Sequence, residues 1–121
     1  MPDEADIERG RVAWREVMGF EPPPIEDAYT EFTAELFDRV WQRPGLGHRE
    51  RRFITMTVVA LRGTRGPLLA HVGAAVNSGD VTPDELHEWV VHVAHYGGWP
   101  IAAEAYGVVR EVLAARDSKH D

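Results

Sequence analysis

The residues best suited to acid–base chemistry in this chain are histidines on two predicted helices. His92 and Tyr96 lie one helical turn apart in the segment HVAHYGGWP, residues 92–100. His71 lies on the preceding helix, between its apolar side and the side that carries Thr64. A partly buried histidine can be tuned to act as an acid or a base near neutral pH. Such a histidine can equally be a hydrogen-bonded core residue, and the residue pattern alone leaves both interpretations open.

Ionisable groups also follow one edge of the fifth predicted helix. At 100° per residue, one face is apolar and consists of Leu86, Trp89, Val90 and Val93. The stripe beside it consists of Glu85, Glu88, His92 and Tyr96, with His95 close behind. This stripe would suit the wall of a pocket. A solvated flank, with Glu88 paired to His92 four residues on, is the simpler alternative.

Three arginines open the third predicted helix: Arg49, Arg51 and Arg52. Cations at a helix N-terminus oppose the macrodipole, so compensating negative charge is expected. Carboxylates from another helix or subunit could supply it. An anionic ligand held by the guanidinium groups could do so equally well.

Composition excludes several function classes. The chain has 13 Lys and Arg against 20 Asp and Glu, and this net charge of −7 argues against a nucleic-acid partner. Without cysteine there is no thiol chemistry and no disulfide. No apolar run approaches the roughly 18 residues of a membrane span, and the acidic N-terminus is unlike a signal peptide, so we expect a cytoplasmic protein. No metal site is predicted, because His92 and His95 with Glu88 match no established ligand spacing.

The hydrophobic periodicity predicts an all-α fold. Six helices are expected, over residues 7–18, 25–41, 48–62, 67–78, 83–96 and 100–116. The clearest start signal is Thr82-Pro83-Asp84-Glu85, a capping box with proline at the first helical position. We expect a single domain over residues 1–121, with its core at 12–113.

Several segments, taken in order along the chain, resemble the carboxymuconolactone decarboxylase family. They include WQRPGL at 41–46, HVGAA at 71–75 and HVAHYGGWP at 92–100, which is similar to a family stretch written HAAIYAGVP. The resemblance implies an all-helical, AhpD-like fold assembled as a homo-oligomer, a trimer or hexamer. In the peroxidase branch of that superfamily, the positions of Thr64 and Pro67 are cysteines. Thiol peroxidase activity is therefore excluded, and the cysteine-free decarboxylase branch fits better.

The reaction that the resemblance implies is decarboxylation of γ-carboxymuconolactone in aromatic catabolism, with no cofactor or metal. Arg51 and Arg52 would bind substrate carboxylates, and His71 would donate a proton or stabilise developing negative charge. His92 and Tyr96 would line the other wall.

The sequence departs from the family pattern at Arg52, His95, Trp99 and Ala103, and Asp80 is an extra residue in the turn before Thr82. If Arg52, Trp99 and Ala103 line the pocket, another carboxylated lactone or a β-keto-like acid is an alternative substrate. Thr64 and Trp99 are expected to contact the substrate. A non-catalytic, oligomeric small-molecule-binding protein of the same fold is the alternative function.

Overall fold

The computed structural model describes residues 3–120, and within this range the chain is helical without any strand. The helices are α1 (Glu4–Met18), α2 (Ala28–Glu35), α3 (His48–Arg62), α4 (Arg65–Asn77), α5 (Pro83–Gly97) and α6 (Trp99–His120), with a π-helical segment, Leu36–Val40, continuing α2. The prediction of an all-α fold is confirmed. The chain divides into two compact units, one ending at Arg51 and one beginning at Arg52. The predicted domain over 1–121 also includes residues 1, 2 and 121, which lie outside the described residues.

In the first unit, local capping decides where α1 begins. The Asp3 carboxylate accepts the N–H of Asp6 at 2.8 Å, and the Asp6 carboxylate accepts the N–H of Asp3 at 3.2 Å. This reciprocal capping starts the helix at Glu4, three residues before the predicted start. At Gly10 a Cβ atom would lie only 2.8 Å from the Cβ of Ala34, so glycine is what allows α1 to approach α2 this closely.

The second predicted helix, over residues 25–41, needs correction at both ends. Asp27 has an extended backbone and its carboxylate accepts the N–H of Thr30 at 2.8 Å, so α2 begins only after it. Beyond Glu35 the helix widens, and the N–H of Trp41 donates to the carbonyl of Leu36 at 3.1 Å. This five-residue spacing is that of a π-helix.

Aromatic side chains form much of the core of the first unit. The Phe37 ring lies 5.2 Å from that of Trp14, edge to face, and 6.4 Å from that of Trp41. All three side chains are buried. Aromatic pairs in such geometry stabilise by roughly 0.5–1.5 kcal/mol beyond the area that they bury.

In the second unit, α4 and α5 pack against α6. The buried core contains Met56, Leu68, Val72, Leu86, Trp89, Val93, Ala105 and Val108, among others. Trp89 Nε1 donates to Thr57 Oγ1 at 3.0 Å, which links α5 to α3 with a buried polar contact. Helix α4 begins two residues before the predicted start at residue 67. Helix α6 begins one residue before the predicted start at residue 100 and continues beyond the predicted end at residue 116. None of the helices between residues 3 and 120 is long and apolar enough to cross a membrane.

The start of α5 confirms the predicted capping box. The N–H of Thr82 donates to Glu85 Oε1 at 3.0 Å, and the N–H of Glu85 donates to Thr82 Oγ1 at 3.2 Å. Pro83 occupies the first turn. The helix ends at Gly97, and the capping residue Gly98 has a φ of 103°, which residues with side chains rarely adopt. Together these signals fix the length of the helix that carries His92 and Tyr96.

Candidate active site

His71 lies in the middle of α4 and is half-buried, as the sequence predicted. Its neighbours Leu68 and Val72 point into the core. Burial lowers the pKa of His71 below its usual value, and the positive charge of Arg52 lowers it further. The imidazole of the free protein is therefore mostly neutral at pH 7, able to donate one hydrogen bond and to accept another.

Arg52, in the second turn of α3, is a charged residue whose side chain is buried. Its side chain is only 2% exposed, and its Nε donates to Asp80 Oδ2 at 2.8 Å. Asp80 lies in the turn between α4 and α5 and is partly exposed. Of the two kinds of compensation expected for the arginines at this helix start, a carboxylate from elsewhere in the chain is present for Arg52. A buried guanidinium requires such a partner, since desolvation of an unpaired charge is costly.

Arg51 has different surroundings and belongs to the first unit. Its Nε donates to the carbonyl of Leu46 at 3.3 Å, and its Nη2 donates to the carbonyl of Arg43 at 3.2 Å. These two contacts tie the side chain to the loop that precedes α3. Both of these partners are neutral carbonyl groups.

The C-terminal half of α5 presents exposed aromatic side chains. The rings of His92 and Tyr96 are stacked, with centroids 5.0 Å apart and an interplanar angle of 27°. Tyr96 is 84% exposed, whereas the predicted apolar face of the same helix is buried. The predicted division of α5 into a buried face and a polar stripe is thus confirmed.

His95 and Trp99 form a second exposed pair at the junction of α5 and α6. Their ring centroids lie 5.7 Å apart, and His95 Nδ1 is 2.7 Å from the carbonyl of Val91, to which it donates as the Nδ1–H tautomer. Trp99 is 69% exposed. Thr64 is also exposed, directly before α4, where its hydroxyl donates to the carbonyl of Val59 at 3.4 Å.

The structure therefore brings the predicted residues together in small groups. Arg52 acts electrostatically on His71, His92 stacks on Tyr96, and Trp99 contacts His95. Between residues 3 and 120, the histidines, aspartates and glutamates form no group of three or more that could hold a metal ion.

Sequence reasoning did not identify Asp80 as the partner of Arg52. In the sequence it stands out only as an extra residue in the turn before Thr82. A buried arginine signals that some carboxylate must lie close to it. Nothing in the periodicity indicates that this carboxylate is 28 residues further along the chain.

A cavity of about 640 Å³ lies in the first unit, and its lining residues include none of the predicted site residues. Its lining includes Asp6, Arg9, Glu31, Phe32, Glu35, Asp38 and Arg39. Arg9 is paired with Asp6, and Arg39 lies 3.4 Å from Glu35, so acidic groups of the protein already engage both cations. We assign the candidate site to the surroundings of His71, because a carboxylate substrate would meet mainly negative charge in this cavity.

Comparison with known proteins gave one matching family model and two matching decarboxylases. A sequence model of the carboxymuconolactone decarboxylase family matches residues 26–111. The 4-carboxymuconolactone decarboxylase of Acinetobacter baylyi is 38% identical over 74 residues, which cover 61% of this chain and 54% of that protein. The nitrosuccinic acid decarboxylase of Metarhizium robertsii is 33% identical over 90 residues, 74% of this chain and 60% of that protein. The matched part is thus little more than half of either relative's length. No solved structure matches the chain.

Proposed function

Because the chain belongs to the carboxymuconolactone decarboxylase family, we propose that it is a decarboxylase of a small carboxylated substrate. Our first candidate substrate is γ-carboxymuconolactone, in aromatic-compound catabolism. The observation that carries the proposal is the half-buried His71 under the influence of the buried Arg52. Both residues lie within the segment that matches the family. Perturbed titratable groups of this kind mark candidate sites of acid–base chemistry.

The two relatives are named for substrates that share a chemical feature. An unsaturated lactone and a nitro group can each accept the electron pair of the breaking C–CO₂ bond. Loss of CO₂ then leaves a delocalised carbanion, and one proton completes the product. This reaction needs no cofactor when the substrate itself provides the electron sink. The protein has to bind carboxylates, stabilise the developing charge and supply the proton.

His71 is our candidate for stabilising the developing charge and for supplying the proton. As a neutral imidazole it can donate a hydrogen bond to the oxygen on which negative charge develops. A bound anionic substrate raises the pKa of a neighbouring histidine, so the substrate itself would favour the protonated form that delivers a proton to carbon. Loss of this proton returns the imidazole to the state of the free protein.

The remaining site residues have proposed roles in binding. Arg51 and Arg52 would attract the substrate carboxylates, with Arg52 acting through its charge while it remains held by Asp80. His92 and Tyr96 would form a wall of the site. Thr64 and Trp99 would contact the rest of the substrate.

We also propose that the chain self-associates, as a trimer or hexamer. Three apolar residues at helical spacing on α3, Ile54, Val58 and Leu61, are each about half exposed. A contiguous apolar stripe of this kind is typical of an interface. Light scattering in solution should give a multiple of the 13.6 kDa chain mass, and a monomer would contradict this proposal.

The test of the proposed function is CO₂ release from freshly generated γ-carboxymuconolactone and, separately, from nitrosuccinic acid. We expect turnover of at least one of them by the wild-type protein and a loss of about 100-fold or more in His71→Gln. Ligand binding by isothermal titration separates the alternatives. Tight binding of either compound without CO₂ release would favour the non-catalytic binding protein. Neither binding nor turnover would overturn the proposed substrate class.

A further inference from the structure

The ion pair between Arg52 and Asp80 joins two elements that flank the candidate site. Arg52 extends from α3, and Asp80 belongs to the turn that directly follows α4, the helix that carries His71. The two charged groups are 2.8 Å apart, and the arginine side chain is 2% exposed. An arginine cannot lose its charge in a protein, so its position in this low-dielectric environment depends on the carboxylate.

The turn that presents Asp80 is itself tied down. The N–H of Asp80 donates to Ser78 Oγ at 3.2 Å, and the Ser78 hydroxyl donates to the carbonyl of Ala75 at 3.0 Å. The same carbonyl accepts the N–H of Val81 at 3.1 Å, and Val81 is buried. The Asp80 carboxylate is therefore held by a turn anchored on the last residues of α4. Through Asp80, the Arg52 guanidinium is fixed relative to the helix that carries His71.

Several elements of the second unit carry charged groups with known partners. Arg52 lies on α3, Asp80 in the following turn, and Glu85 at the start of α5, where its carboxylate accepts the N–H of Thr82. On α6, Glu111 is ion-paired with Arg65 of α4. Among these groups it is the Arg52 cation whose charge acts on His71. Asp80 holds this cation through the 2.8 Å contact and places a negative charge directly beside it.

We propose that Asp80 is a positioning residue of the candidate site, which fixes the Arg52 guanidinium and partly offsets the positive charge that it exerts on His71. Arg52 then attracts an anionic substrate through its charge alone, and His71 can become protonated once that substrate is bound. This inference rests on the proposed function. It also makes a physical prediction about His71 that needs no substrate.

The test compares Asp80→Asn with a matched control, Asp84→Asn. Both substitutions remove one negative charge and preserve side-chain shape, but Asp84 is exposed on the first turn of α5. The His71 imidazole is titrated by NMR in each folded variant, and kcat/KM for CO₂ release is measured across pH. In Asp80→Asn the loss of the negative charge beside Arg52 should lower the pKa of His71 further and reduce kcat/KM by about 10- to 100-fold. In Asp84→Asn the His71 titration should be unchanged and kcat/KM should stay within about twofold of wild type.

A second variant keeps the test decisive if Asp80→Asn does not fold. In Arg52→Met/Asp80→Asn the buried cation and its partner are both removed, so the fold should be retained and the pKa of His71 should rise above the wild-type value. If the titration of His71 is the same as in wild type in every folded variant that lacks the Asp80 carboxylate, the positioning role is wrong. If the wild type decarboxylates neither compound, the proposed function fails. The NMR comparison still decides whether Asp80 sets the charge at His71.

Discussion

His71 and His92 lie on consecutive helices of the second unit, and they differ in burial and in the groups that surround them. His71 is half-buried and lies in the field of a buried arginine, which is fixed by Asp80. His92 is exposed and stacks on Tyr96, which is itself 84% exposed. The same residue type is therefore partly removed from water in one place and exposed to water in the other.

This contrast indicates how each region can contribute to chemistry. Where water is excluded, a neighbouring charge changes the titration of a group strongly, whereas around an exposed group solvent and salt screen that charge. The region around His71 can therefore be tuned for proton transfer. The exposed end of α5 is suited to contacts with a substrate or with another copy of the chain. Substitutions can test whether proton transfer belongs to the region around His71 and surface contacts to the exposed end of α5.

The largest expected effect is on the buried ion pair. Asp80→Ala should lower the free energy of unfolding by about 3 kcal/mol, because it leaves the Arg52 guanidinium buried without this carboxylate. Urea denaturation measures the change. The double variant Arg52→Met/Asp80→Ala should recover most of it, since no cation then remains to be compensated. A single variant within about 0.5 kcal/mol of wild type would mean that the pair contributes little to the fold.

A smaller loss is expected at the polar contact behind α5. Thr57→Val removes the acceptor for Trp89 Nε1 and leaves a buried N–H without its partner, at a cost of about 1–2 kcal/mol. Thr57→Ser retains the hydroxyl and serves as the matched control. Equal losses in the two variants would show that packing of the threonine methyl group, and not the hydrogen bond, holds α5 on α3.

The pH dependence of stability should also distinguish the two regions. Because the folded-state pKa of His71 is lowered, the unfolded chain binds the proton more readily once the pH falls below the usual histidine value of about 6.5. Stability should therefore decrease as the pH falls from 6.5 towards the folded-state pKa. His71→Gln should lose less stability over that range than wild type. An identical pH dependence in the two proteins would show that His71 is not desolvated in solution.

The smallest expected effect lies at the exposed end of α5. Tyr96→Ala should change the free energy of unfolding by less than about 0.5 kcal/mol at low protein concentration, because the ring contacts mainly water and His92. The measurement should be repeated at high protein concentration. A loss above about 1 kcal/mol that appears only there would show that another copy covers this surface.

Structural features that depend on residues close together in the sequence could be predicted. The capping box at Thr82 and the two faces of α5 follow from residues a few positions apart, and both predictions are confirmed. The partial burial of His71 also followed from its place between an apolar and a polar side of α4. In these cases a helix places the determining residues next to one another.

Features that involve distant residues could not be predicted. The Phe37 ring packs on Trp14, which lies 23 residues earlier in the chain. The partner of Arg52 is a carboxylate in a turn 28 residues away. Hydrophobic periodicity describes which face of a helix is buried, but it does not specify which distant charge that face will meet.

The central claim is that proton chemistry belongs to the buried region around His71. Its most direct test is kcat/KM for CO₂ release, measured side by side for wild type, His71→Gln and His92→Gln. We expect a decrease of about 100-fold or more for His71→Gln and of about tenfold or less for His92→Gln. Wild-type rates in folded His71→Gln, or a larger loss in His92→Gln, would contradict the claim and move the chemistry to the exposed end of α5.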